Sequence, residues 1–192
     1  MTDSGDHNVD VDTAMNIAIA CGGTGGHIFP GVATGEAMKK RGHAVTLWLA
    51  GRDVENGSIA GWGGPVISVR AVGFPSGFSF RAVGVAWRLF IAFLQCRARM
   101  AASPPDALLA MGSYASVGPV LAARALGVPV ALHEANAIPG RAISFLSRFS
   151  QAVAVGFKEA APCLKHPRVM VTGFPVRTDL ENRFDDGVLK PG

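Results

Sequence analysis

Tyrosine occurs once, at Tyr114, cysteine three times, and charged residues make up only 17% of the 192 residues. Cys21, Cys96 and Cys163 are odd in number, scattered and without a C-x-x-C pair. That argues against a disulfide framework or a zinc site and for a reducing compartment. No run of eighteen apolar residues occurs, and the N-terminus is acidic where a signal peptide would be basic and then apolar. Neither a bilayer span nor secretion is therefore expected. Low charge leaves 49% hydrophobic residues, an apolar balance for a soluble α/β domain that assigns some surface to a membrane or a partner. The formal charge is +4 although Asp3, Asp6, Asp10 and Asp12 crowd the start, so the body is more basic than the total. A mildly basic body suits phosphorylated substrates or anionic headgroups, and no nucleic-acid partner is expected.

What the chain does have in quantity is glycine, and it concentrates after one apolar run. Ile17 to Ala20 suits a buried parallel strand, four glycines follow between Gly22 and Gly26, and Pro30 is expected to open a helix. A glycine turn between strand and helix exposes bare amides, and the helix start adds partial positive charge, so the expected occupant is an anion, above all phosphate. Two standard motifs do not fit. Ile28 stands at the third glycine position of a dinucleotide fingerprint, and no Lys-Ser/Thr pair follows as in a P-loop. A tight turn without ligand, with His27 bonded to backbone, is the bland alternative.

Residues 1–14 read as a disordered leader, 15–180 as one domain and 181–192 as a tail. Strands are expected at 44–50, 66–69, 107–111, 128–132, 152–155 and 169–172, and helices at 32–41, 81–102, 115–126 and from Gly140 to Phe149. Gly51 to Gly64 and Val72 to Ser79 read as loops. The alternation predicts a doubly wound parallel sheet with helices on both faces, whose ligands bind beyond the carboxyl ends of the strands. Four polar clusters follow strands: Gly22 to His27, Gly112 to Gly118, His133 to Asn136 and Gly173 to Arg177. Together they describe a phosphate-binding cleft with candidate catalysts. The helix at 81–102, preceded by Phe74, Phe78 and Phe80 and carrying Trp87 and Phe90 among arginines, suits either the sheet or a headgroup interface.

Gly22-Gly-Thr-Gly-Gly-His-Ile-Phe-Pro-Gly31, Met111-Gly-Ser-Tyr-Ala-Ser116, His133-Glu-Ala-Asn136 and Gly173-Phe-Pro-Val-Arg177 resemble, in order and spacing, the N-terminal half of the MurG family. The resemblance implies the Rossmann-like N-terminal half of a GT-B glycosyltransferase. That family transfers N-acetylglucosamine from UDP-N-acetylglucosamine to undecaprenyl-linked lipid I, making lipid II. It implies donor contacts from Thr24, Gly25, Gly26, Asn136 and Arg177, and activity tied to His27 and Glu134. It also implies acceptor-diphosphate contacts from the turns at Gly22-Gly23 and Gly112-Ser113-Tyr114. A membrane patch over Phe74, Phe78, Phe80, Trp87 and Phe90 would place the protein on the cytoplasmic face of the cell membrane. Ser113, Ala135 and Phe174 depart from the usual glycine, glutamine and asparagine.

In the family reaction a sugar hydroxyl attacks the anomeric carbon and UDP leaves with inversion. His27 is the better base because its ordinary pKa, about 6.5, lies near working pH, with Glu134 as an alternative base or orienting group. Helix N-termini and Arg177 would stabilise the leaving charge, and neither a metal nor another cofactor is expected. The family's C-terminal donor-binding domain has no counterpart here, so the polypeptide alone is not expected to be an efficient transferase. One reading is therefore a fragment of a MurG-type enzyme. A second is a separate membrane-docking half that recruits a donor-binding partner. A third, an oxidoreductase domain, needs an acid ending the second strand, where Leu49-Ala50-Gly51 stands and Asp53 is displaced.

Overall fold

The computed structural model describes residues 13–51, 53, 59, 61–70 and 80–176, the side chains of 80–83 excepted. Strands β1 (Asn16–Ala20), β2 (Ala44–Ala50), β3 (Val66–Val69), β4 (Ala107–Ala110), β5 (Val130–Glu134), β6 (Ala152–Val155) and β7 (Val169–Val171) form one sheet. Its order is β3-β2-β1-β4-β5-β6-β7 and every pairing is parallel. Helices α1 (Gly25–Lys40), α2 (Phe80–Ala102), α3 (Val117–Ala125) and α4 (Arg141–Leu146) connect them, with 3₁₀ turns at Tyr114–Ser116, Ser147–Phe149 and Lys158–Cys163.

Strand alternation splits the core in two. On one face Ile17 and Ile19 pack with Ile28 and Val32 of α1; on the other Ala18 and Ala20 pack with Cys96 and Met100 of α2 and Val120 of α3. Helices therefore cover both faces, as expected. The chain winds outward from β1 to β3, returns to set β4 against β1, and winds outward again to β7. That reversal places a crevice between the turns that follow β1 and β4.

Three local expectations are corrected. Helix α1 begins at Gly25, and Pro30 lies inside it, buried. Proline suits a first helical turn, which is why it read as the start, but burial of Ile28 against the sheet extends the helix back through the glycines. Pro30 lacks an N–H for the Gly26 carbonyl, while its own carbonyl accepts from Thr34 Oγ1 at 2.8 Å. Strand β5 starts two residues late and runs through His133 and Glu134, so these side chains leave the strand itself on opposite faces. The 3₁₀ segment at Lys158–Cys163 was not foreseen. The loop read at Val72 to Ser79 lies outside the described residues, as does much of that at Gly51 to Gly64.

Candidate functional site

A cleft of about 1340 Å³ opens at the carboxyl ends of the central strands. It brings together Gly23, Thr24 and His27 from the turn after β1, Ser113 and Tyr114 from the turn after β4, and Glu134 and Asn136 from the end of β5. These are three of the four clusters expected along this edge. The fourth meets the third through a side contact: His133 Nε2 lies 3.1 Å from the Gly173 carbonyl, and the Phe174 ring stands edge-on to the imidazole at 6.4 Å. Arg177 lies outside the described residues, with Phe74 and Phe78.

The first turn presents the start of α1 to the cleft. Thr24 is the residue before the helix, and its carbonyl accepts from the amides of His27 and Ile28. Its hydroxyl shares a 2.9 Å hydrogen bond with His27 Nδ1. The amides of Gly25 and Gly26, in the first helical turn, have no carbonyl one turn back to reach and project from the helix end. Across the cleft Gly112 holds φ +87, and a Cβ there would stand 3.2 Å from His27 Cδ2 and 3.3 Å from Nε2. The imidazole is thus wedged between its own helix and the second turn. Burial holds it below its usual protonation range, and the Glu134 charge pulls it partly back, so the neutral ring predominates near neutral pH.

Glu134 is 2% exposed. Its Oε1 accepts from the Asn136 amide at 2.8 Å and Asn136 Nδ2 at 2.7 Å, and its Oε2 accepts from the Gly140 amide at 2.8 Å. Two backbone donors and one side chain therefore brace the segment from 134 to 140, and Asn136 is set in place by the carboxylate.

Ser113 has φ 66 and ψ 167, a region populated almost entirely by glycine. The turn does need positive φ where the resembling family has glycine. The side chain offers partial compensation, since Ser113 Oγ accepts from the Ala115 amide at 3.2 Å. Ser113→Gly is expected to raise unfolding free energy by about 1 kcal/mol. Ser113→Ala, which keeps the strain and loses the acceptor, should lower it. Urea denaturation of the two variants checks the pair of signs.

Sequence reasoning missed Arg70 and Arg141, which line the cleft, and read the arginines of the 81–102 helix, Arg88 and Arg99 among them, only as neighbours of an apolar surface, although these two line the cleft too. An isolated arginine outside any motif gives no signal; only the fold shows which way these face. The cleft therefore carries four guanidinium groups against one carboxylate already engaged with backbone. Cys21 and Cys96 are buried beneath it, with thiols pushed up to about 12 chiefly by desolvation, and offer no nucleophile.

Comparison with known proteins identifies the family and the fold that carry this cleft. Residues 17–155 match the model of the glycosyltransferase family 28 N-terminal domain. A Pelobacter propionicus protein named UDP-N-acetylglucosamine–N-acetylmuramyl-(pentapeptide) pyrophosphoryl-undecaprenol N-acetylglucosamine transferase is 33% identical over 180 residues, 93% of this chain and 48% of its own length. Its namesake from Synechococcus elongatus is 34% identical over 175 residues, 91% of this chain and 48% of its own. The chain thus spans about half the length of the curated relatives it matches. Crystalline Acinetobacter baumannii MurG superposes with TM-score 0.71 at 25% identity, covering 93% of this chain and 50% of that one. A Listeria monocytogenes protein described as a putative UDP-N-acetylglucosamine 2-epimerase, at TM-score 0.64 and 16% identity over 84% of this chain and 46% of that one, shares the fold.

Proposed function

Since this chain belongs to the glycosyltransferase family 28 N-terminal domain family, we propose that it forms the acceptor- and membrane-facing half of an N-acetylglucosaminyltransferase acting in peptidoglycan synthesis. The donor is UDP-N-acetylglucosamine and the acceptor undecaprenyl-diphosphate-linked muramyl-pentapeptide. One observation carries the reading: three polar turns meet at the sheet's switch point, with a neutral histidine wedged between two glycine turns.

The chemistry follows from the positions. In the tautomer whose Nδ1–H donates to Thr24 Oγ1, Nε2 carries the lone pair that takes the proton from the acceptor sugar hydroxyl. The oxygen attacks the anomeric carbon as the bond to UDP breaks, with inversion. Amides at the start of α1 and the cleft arginines stabilise the diphosphates without a metal. Glu134 orients Asn136 toward the donor and keeps the loop to Gly140 closed. Arg177 and a donor-binding domain supply the remaining donor contacts.

The membrane face is α2. Trp87, Phe90 and Leu94 are exposed by 63%, 48% and 41%, while Ala92, Cys96 and Met100, at successive four-residue steps, are buried on the opposite side. An exposed apolar stripe opposite a buried one suits a helix resting in the headgroup layer; no helix among the described residues is long and apolar enough to cross a bilayer. The Trp87→Ser, Phe90→Ser variant is expected to lose about tenfold in partitioning onto anionic vesicles, read by co-sedimentation.

The function is tested by transfer of labelled N-acetylglucosamine to a short-chain lipid I analogue, with this polypeptide alone and with a MurG-type donor-binding domain added in trans. Transfer only with the added domain supports the reading. Failure of the folded chain to bind the analogue or support transfer overturns it.

A further inference from the structure

Asp53 enters the sequence only as a carboxylate too far along its loop to hold a ribose. In the structure it is 3% exposed, and its Oδ2 accepts the Gly23 amide hydrogen at 2.6 Å. A Cβ on Gly22 would stand 2.8 Å from the same oxygen and 3.0 Å from the Ala50 amide nitrogen. The carboxylate therefore sits against the base of the glycine turn, close enough that its charge contributes to raising the Cys21 thiol.

That turn needs a brace. Residues 22–26 contain four glycines, each without a side chain to restrict its backbone, and Gly23 holds φ +95. Thr24 follows directly, and Thr24 both precedes the first residue of α1 and bonds to His27. The orientation of the Gly23 peptide thus decides where the helix begins and where the imidazole points. A hydrogen bond to a buried oxygen acceptor fixed outside the turn holds that peptide in one orientation.

We propose that Asp53 is a positioning residue of the cleft: by accepting the Gly23 amide hydrogen it locks the glycine turn so that Thr24 and His27 face the turn at Gly112. The functional part rests on the acceptor-half reading above. It also refines that reading, because the Gly23 amide is already committed and its neighbour is negative. Phosphate oxygens are left with the amides of Gly25 and Gly26, on the His27 side of the turn.

The test uses the full chain, amide hydrogen exchange at Gly23 by NMR, and binding of the short-chain lipid I analogue. Asp53→Ala is expected to exchange Gly23 about tenfold faster and to bind the analogue at least about fivefold more weakly. Asp53→Asn, which keeps an oxygen acceptor, should stay within about threefold of the parent on both readouts. A merely structural carboxylate would lower the urea midpoint without this rescue pattern. Unchanged Gly23 exchange in Asp53→Ala, or equal loss in both variants, overturns the proposal. Should Asp53→Ala not fold, Asp53→Asn decides alone: Gly23 exchange within threefold supports the brace, and a tenfold gain overturns it. If the parent chain does not bind the analogue, the acceptor reading fails while Gly23 exchange still decides the role of Asp53.

Discussion

Replacing His27 by alanine is expected to lower N-acetylglucosamine transfer by about 10²- to 10⁴-fold, the usual contribution of a positioned general base. The measurement is the single-turnover rate with the lipid I analogue in the presence of a donor-binding domain. Acceptor binding should change little by comparison, because the amides of Gly25 and Gly26 remain. A loss confined to binding would remove His27 from proton transfer. Thr24→Val is the companion variant: it keeps the ring and removes the hydroxyl hydrogen-bonded to Nδ1, so its loss should be smaller than that of His27→Ala.

The pH profile supplies an independent sign. Burial lowers the His27 pKa from 6.5, and the neutral ring is the base. As pH falls, activity is kept through 6.5 and lost only as the ring takes its proton at a lower value. An acid limb above 6.5 would mean that another group titrates, or that bound diphosphate reverses the shift by favouring the imidazolium.

Much of the fold is legible in the sequence, and the exceptions have identifiable causes. The apolar runs Ala44–Ala50, Val66–Val69 and Ala152–Val155 coincide with β2, β3 and β6 residue for residue, because each is bounded on both sides by glycine, proline or polar residues that end the run. The start of α1 was misplaced because proline is a local signal and burial of Ile28 a tertiary one. His133 and Glu134 look like loop residues because they are polar, yet both are buried inside a strand: Glu134 is met by donors of its own loop, and His133 reaches the Gly173 carbonyl through Nε2 while its Nδ1 has no hydrogen-bond partner. Asp53 was weighed only against a ribose. Its partner Gly23 lies thirty residues away, and a backbone amide leaves no mark in the sequence.

Glu134→Ala is expected to be the most destabilising substitution in the cleft, by about 3 kcal/mol in urea denaturation. Truncation leaves the Asn136 and Gly140 amides without their acceptor and opens a cavity behind the strand, although exposure of Asn136 lets water recover part of the loss. Glu134→Gln separates bracing from proton transfer. Its amide oxygen can keep both bonds from Asn136, but its amino group then faces the Gly140 amide, donor against donor. A brace that loses one of three bonds should cost about 1 kcal/mol and a modest fraction of the transfer rate. A general base made non-basic should cost the rate about 10²-fold or more, whatever the stability. The engagement of both carboxylate oxygens by donors from the same loop favours the first outcome, and a Glu134→Gln variant that folds well yet transfers nothing would move the proton from His27 to Glu134.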